Sequence, residues 1–129
     1  MANLSKSTQF DWRLAKYDLL GSKAHAQALA AKGYLNESEL QELLKAIEQL
    51  ESRVEAGSFK PRETDEDVHS ALERGLIEIA GADLGGKLRA GRSRNDQIAT
   101  EIRLFMLDAA DEISSLLVSY IEQLTIQAE

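Results

Sequence analysis

From Asn95 to Glu129 the sequence keeps up one helical pattern for more than thirty residues, longer than a globular helix needs. Ile98, Ile102, Phe105, Ala109, Ile113, Leu116, Tyr120 and Leu124 recur at steps of three and four, averaging about 3.7 residues, so little left-handed supercoiling is demanded. Leu104, Met106, Leu107, Leu117, Val118 and Ile121 spread the apolar surface well beyond that stripe. A helix apolar on several sides has to be buried on several sides. The shorter patterns ahead of it cannot do this alone, so the segment reads as one member of a bundle.

Those shorter patterns are helical too. Aromatics make up 5% of the chain, proline occurs once, and Ala, Leu, Glu, Lys and Gln fill the long stretches, so the expected fold class is all-α. Asp11 to Lys32 reads as a first helix with Leu14, Tyr17, Leu20, Ala24, Ala28 and Ala31 on its apolar face and Gly33 at its end. Gly21 falls inside it, at a cost of about 1 kcal/mol relative to alanine, tolerable if another helix crosses closely at that point. Asn36-Glu37-Ser38-Glu39 supplies a cap and an acid three residues later, opening a second helix. Its Leu40, Leu43, Leu44, Ile47, Leu50 and Val54 share a face, and Gly57 ends it, giving an antiparallel hairpin with the first. Thr64 to Asp67 is an acidic start for a third helix whose Val68, Ala71, Leu72, Leu76 and Ile79 face inward and which Gly81 closes. Gly81, Gly85, Gly86 and Gly91 then predict an irregular connection.

Cysteine is absent, which excludes disulfides, thiol nucleophiles and thiolate metal sites, and no pattern for a metal or cofactor is read. Met1 to Phe10 lack the basic start and apolar run of a leader, and no stretch reaches the ~18 apolar residues of a membrane span. A cytoplasmic protein without a membrane partner is expected. Fifteen basic against 22 acidic residues give a net charge of −7, which repels nucleic-acid phosphates.

Local charge runs the other way around residue 90. Lys87, Arg89, Arg92 and Arg94 lie in a stretch that holds no acid, and Gly91 is followed by six consecutive polar side chains, Arg92-Ser93-Arg94-Asn95-Asp96-Gln97. The long helix begins here, and a helix N-terminus offers unpaired N–H groups and a partial positive charge. Arginines add forked donors matched to carboxylates. From these residues alone two readings stay open, an anion site or a helix capped by Ser93 with solvated charges around it. A nucleic-acid surface fits poorly, because no aromatic lies among the four cations.

Gly91 to Gln97, Gly-Arg-Ser-Arg-Asn-Asp-Gln, resembles the first signature segment of the argininosuccinate lyases and their lens relatives, the delta-crystallins. Asp65-Glu66-Asp67-Val68-His69 resembles that family's Asp-Glu-Asp-Ile-His, and Gly86-Lys87-Leu88 its Gly-Lys-Leu. Ser7 to Leu14, followed by Asp18 and Gly21-Ser22, resembles its N-terminal Ser-x-x-Tyr-Asp block. All stand in the family's order over essentially the full chain. The related fumarases, aspartases and adenylosuccinate lyases share the fold but not the heptapeptide. Two departures stand out: Arg89-Ala90 replaces the His-Thr of many members, removing a hydroxyl, and the Trp-Gly-Gly-Arg-Phe block near the start is absent. The segments with the family's catalytic histidine and serine are absent too, so the chain is expected to be the N-terminal part of a longer enzyme and inactive alone.

The resemblance implies a fumarase/aspartase-like fold, with an N-terminal helical domain over 1–94 and the truncated first helix of a central helical bundle over 95–129. It implies a lyase of arginine biosynthesis that splits argininosuccinate into arginine and fumarate by elimination, without a cofactor, as a homotetramer whose sites draw on several subunits. Charge builds on a carboxylate in that reaction, so fixed donors matter most. By resemblance Asn95 contacts substrate through its amide, and Ser93 and Arg94 shape the pocket for the succinate end. Ser7 lies near the substrate, while Asp11 and Asp67 meet the cationic arginine end. Arg92 is expected to brace the loop rather than bind substrate. His69 lies near the site in the family, though a histidine in a first helical turn is often a surface residue, and Asp67 is also suited to plain helix-dipole chemistry with Asp65 and Glu66. His25 reads as structural. The competing reading is a non-catalytic structural member of the same family, as the delta-crystallins are in the lens.

Overall fold

The computed structural model describes residues 6–128; residues 1–5 and Glu129, which the readings above include, lie outside it. A single turn, α1 (Thr8–Asp11), passes through a 3-10 turn (Trp12–Leu14) into α2 (Ala15–Ala31). Then follow α3 (Glu37–Glu55), α4 (Val68–Ala80), α5 (Ala82–Lys87) and α6 (Arg94–Ala128). Among the described residues there is no strand, so the fold is all-α as expected.

The start of α3 is fixed by its sequence. Asn36 accepts a hydrogen bond from the Glu39 N–H and the Glu39 carboxylate accepts one from the Asn36 N–H, both at 2.9 Å. Two donors that a helix start would leave unpaired are thereby satisfied. The periodic apolar face puts Leu43, Ile47 and Leu50 at the centre of the core, essentially without exposure, each stabilising the fold by roughly 1.5–3 kcal/mol. Helix α2 packs on α3 as the hairpin expected, and α4 lies against both with Val68, Ala71, Leu72 and Leu76 buried.

Three expectations need correction. Regular α-helix begins at Ala15, not Asp11, because the chain tightens into a 3-10 turn that stacks Trp12 on Phe59 with ring centroids 6.2 Å apart. The buried face of α2 is rotated from the one expected: Ala15, Tyr17, Asp18, Leu19, Ser22, Ala26 and Leu29 point inward while Leu20 is 52% exposed. Two of those buried positions are polar, and a hydrophobic pattern does not count them. At Gly21 the group in closest approach is the Arg92 guanidinium, at an ordinary contact distance of 3.7 Å from where a Cβ would stand. Finally, the glycine-rich stretch after Gly81 is not irregular, since six of its residues form α5. A Cβ on Gly85 would lie 3.1 Å from the Ile77 Cα, so the missing side chain lets α5 fold tightly back on α4. That packing, with Leu88 buried, offsets the ~1 kcal/mol that a glycine costs a helix.

Helix α6 is about 50 Å long, and only its first part is docked. Glu101 is buried, Phe105 meets the Tyr17 ring edge-on at 6.0 Å, and the Tyr17 hydroxyl donates to Asp108 at 2.9 Å. From Ile113 onward the large apolar side chains stand in solvent, Leu116 at 63% and Ile121 at 59%. No described helix is long and apolar enough to cross a membrane.

Candidate functional site

Segments far apart in the sequence meet at the start of α6. The Ser7 hydroxyl donates to Asp11 Oδ2 at 2.5 Å, and the Ser7 N–H donates to the Glu66 carbonyl at 2.9 Å. The next residue, Asp67, is the N-cap of α4 and accepts the Ser70 N–H at 2.6 Å. Its other oxygen lies 3.9 Å from Arg94 Nε. Burial works against the Asp67 carboxylate, yet the Ser70 N–H and hydroxyl and the charge of Arg94 outweigh it and hold the carboxyl below its usual range. Asp67 therefore caps its helix and faces Arg94 as well. Asp11 Oδ1 is buried without a hydrogen-bond partner among the described residues. Ser93 and Asn95 stand exposed on either side of Arg94.

Beneath this surface lies a polar network that holds the heptapeptide. Gly91 takes a positive φ of 65°, a conformation that suits glycine, and turns Arg92 inward. The Arg92 guanidinium donates to Ser22 Oγ at 2.9 Å and lies 3.6 Å from Asp18 Oδ1. Gln97 donates to Asp18 Oδ2 at 2.9 Å, and His69 Nδ1 lies 2.7 Å from the same oxygen. Ser22 donates to Asp18 Oδ1 at 3.1 Å, and His25 Nε2 pairs with the Ala90 carbonyl at 3.0 Å. Far from being a surface residue, His69 is 4% exposed.

Burial alone draws the His69 imidazole down, but the Asp18 hydrogen bond and charge, with Glu101 and Asp67 behind them, push it above its ordinary value. Glu101 is 1% exposed, and neither of its carboxylate oxygens has a hydrogen-bond partner among the described residues. Burial and the charge of Asp18 push its carboxyl up to about 7, against the pull of His69 and Arg92.

Asp18, His69 and Glu101 each present one ligand atom within 4.8 Å of the others, a spacing a divalent cation accepts. The donors already in place argue for a hydrogen-bonded network instead. Asp18 Oδ2 is taken by Gln97 and His69, and the Arg92 guanidinium supplies a resident cation beside Oδ1. Such a network stays put only when its members satisfy one another.

A cavity of about 130 Å³ opens beside it, with an apolar floor that includes Leu19, Ile47, Leu50 and Leu72 and with Arg89, Arg92 and Arg94 among its polar lining. Arg89 is paired with Glu73 at 3.0 Å and Arg92 with Ser22. Arg94, 3.4 Å from the Gln97 amide oxygen and 3.9 Å from Asp67, is the arginine left to meet a carboxylate. Glu101 stood in no motif of the sequence, and Asp18, Ser22 and Gln97 stood there only inside matched motifs, without a role assigned to them. A signal was present in α2: Asp18, Ser22 and His25 recur at steps of four and three, which places them on one helix face.

Compared with known proteins, residues 1–129 match the lyase family. The chain is 60% identical over 129 residues to the argininosuccinate lyase of Leifsonia xyli subsp. xyli, covering 100% of this chain and 27% of that protein. It is 60% identical over 126 residues to the argininosuccinate lyase of Clavibacter sepedonicus, covering 98% of this chain and 26% of that protein. For the argininosuccinate lyase of Thermobifida fusca the identity is 54% over 129 residues. The chain thus spans about a quarter of the length of the curated relatives it matches.

Proposed function

The chain belongs to the lyase family, and on that premise we propose that it forms the N-terminal part of an argininosuccinate lyase, an enzyme that splits argininosuccinate into arginine and fumarate. The observation that carries this reading is the meeting of Ser7, Asp11, Asp67 and Arg94 through contacts between segments remote in sequence. The Asp67 carboxylate beside the loosely held Arg94 guanidinium, with Asp11 tied through Ser7 to the neighbouring Glu66, suits a substrate with a cationic end and a dicarboxylate end. Asp11 and Asp67 face the arginine portion; Ser93, Arg94 and Asn95 face the succinate portion, where fixed donors stabilise the charge that builds as the proton leaves. The general acid and base come from elsewhere in the longer protein.

In this reading residues 1–94 form one helical domain and α6 is the first helix of a central bundle in a cytoplasmic homotetramer of arginine biosynthesis. The exposed apolar flank of α6 supports the bundle. The test is direct: the purified full-length protein is given argininosuccinate, and fumarate and arginine are quantified. Equal release of both is expected. A folded protein that releases neither overturns the reading and leaves a non-catalytic structural member of the family.

A further inference from the structure

Resting on the reading of Ser93–Asn95 as substrate contacts, we infer that Asp18 is the positioning residue that fixes this segment by gripping it from both ends. Asp18 is 3% exposed and all of its acceptor capacity points at the heptapeptide or its supports. Oδ1 accepts from Ser22, which in turn accepts from Arg92, and lies 3.6 Å from the Arg92 guanidinium itself. Oδ2 accepts from Gln97 at 2.9 Å and from His69 at 2.7 Å. Arg92 and Gln97 bracket Ser93, Arg94 and Asn95, so one buried carboxylate spans the stretch that meets substrate while touching none of its three side chains. Ser22 and His25 continue the same face of α2, and His25 pins the Ala90 carbonyl just ahead of the segment. A face of α2 that a hydrophobic pattern leaves unexplained is thus committed to holding one loop.

An asparagine has nearly the same shape as aspartate but cannot do this work. Its NH₂ group must face either Ser22 and the Arg92 cation or the Gln97 and His69 donors, so one end of the segment loses its anchor. A misplacement of about 1 Å costs on the order of 10²-fold in rate.

In the full-length enzyme, Asp18→Asn and Gln97→Met are compared with the unaltered protein and with Asn95→Ala, reading kcat, KM, helical content and melting temperature. The expected result for both is a loss of tenfold or more in kcat/KM, shared between a lower kcat and a higher KM, in protein that remains folded. A smaller population of correctly folded enzyme lowers kcat at constant KM, so that pattern in both variants assigns Asp18 a purely structural part and overturns the proposal. Values within twofold of the unaltered enzyme overturn it too. Should Asp18→Asn fail to fold, Gln97→Met decides, because it removes one grip and leaves the Asp18–His69 contact intact. Loss of activity in Asn95→Ala with none in Gln97→Met or Asp18→Asn rejects the positioning role alone. Full activity in all three rejects the substrate reading on which it rests.

Discussion

Glu101 Oε1 stands 3.5 Å from His69 Nδ1, with both side chains no more than 3% exposed. The imidazole N–H is directed at Asp18 instead, at 2.7 Å. Glu101 is left buried without a hydrogen-bond partner among the described residues, and protonation is what relieves it. Its carboxyl is pushed from an ordinary 4.5 up to about 7, and the His69 imidazole is raised above its ordinary value as well. Both groups bind protons more tightly in the folded chain than in the unfolded one. The stability this contributes is complete below the unfolded values and is lost as pH rises through the folded ones, for Glu101 from about 4.5 to about 7.

Glu101→Gln, which mimics the protonated acid, should therefore stabilise the protein at about pH 8 and change little near pH 4.5. With each pKa unit worth about 1.4 kcal/mol, the ceiling is on the order of 3 kcal/mol. Thermal melts of both proteins at the two pH values check this. Equal melting temperatures under alkaline conditions would show that the buried carboxylate carries no strain.

Gly75 sits where α4 crosses the core, and an added Cβ would lie 2.6 Å from Phe59 Cζ and 2.7 Å from Leu50 Cδ1. Neither neighbour has room to yield. Leu50 is 1% exposed, and Phe59 is held between the Trp12 ring and the Arg74 guanidinium, 4.9 Å from its centroid. Gly75→Ala should cost about 1–3 kcal/mol through overpacking, although alanine is the better helix former. Chemical denaturation reads the loss, and a variant as stable as the parent would mean the core is looser than these distances say.

What the sequence made legible and what it hid follow one physical line. Asn36 with Glu39 marks the start of α3, and Leu43, Ile47 and Leu50 mark its face, because caps act locally and apolar burial is periodic. The heptapeptide was visible as a density of polar residues. Its supports were not, since Asp18 lies 79 residues from Gln97 and only the fold joins them. The inward face of α2 was misjudged for the same reason, Asp18 and Ser22 being buried by hydrogen bonding rather than by hydrophobicity. Glycines from 81 to 91 read as irregular, because a sequence does not reveal that Gly85 buys close approach to Ile77.

In the full-length enzyme Asn95→Ala or Arg94→Ala should lower turnover by about 10²–10³, since one lost donor in a preorganised site costs roughly 3–4 kcal/mol of transition-state stabilisation. The fold should notice little. Both side chains are exposed at the start of α6, where a cap-region change costs about 1 kcal/mol. Steady-state kinetics beside circular dichroism separate the two effects. Activity within twofold of the parent in either variant would remove that residue from the substrate site.

The chain by itself should associate, and α6 is the reason. Its first part is anchored by Phe105 and Asp108 against Tyr17, but Leu117, Val118 and Ile121 are 55–59% exposed, with Ile113, Leu116 and Tyr120 exposed beside them. Contiguous apolar surface beyond a few hundred Å² is uncommon on a monomer. Copies of α6 laid against one another bury it without drawing on the core around Leu43 and Ile47, to which none of these side chains belongs. Light scattering at rising concentration should report masses above the 14.3 kDa of one chain. Leu117→Glu with Ile121→Glu, one helical turn apart on the same side, should restore the monomer while the helical content stays, because neither residue touches the docked part of α6. A 14.3 kDa species at every concentration, from the unaltered chain, would mean that the apolar flank serves some purpose other than joining copies of α6.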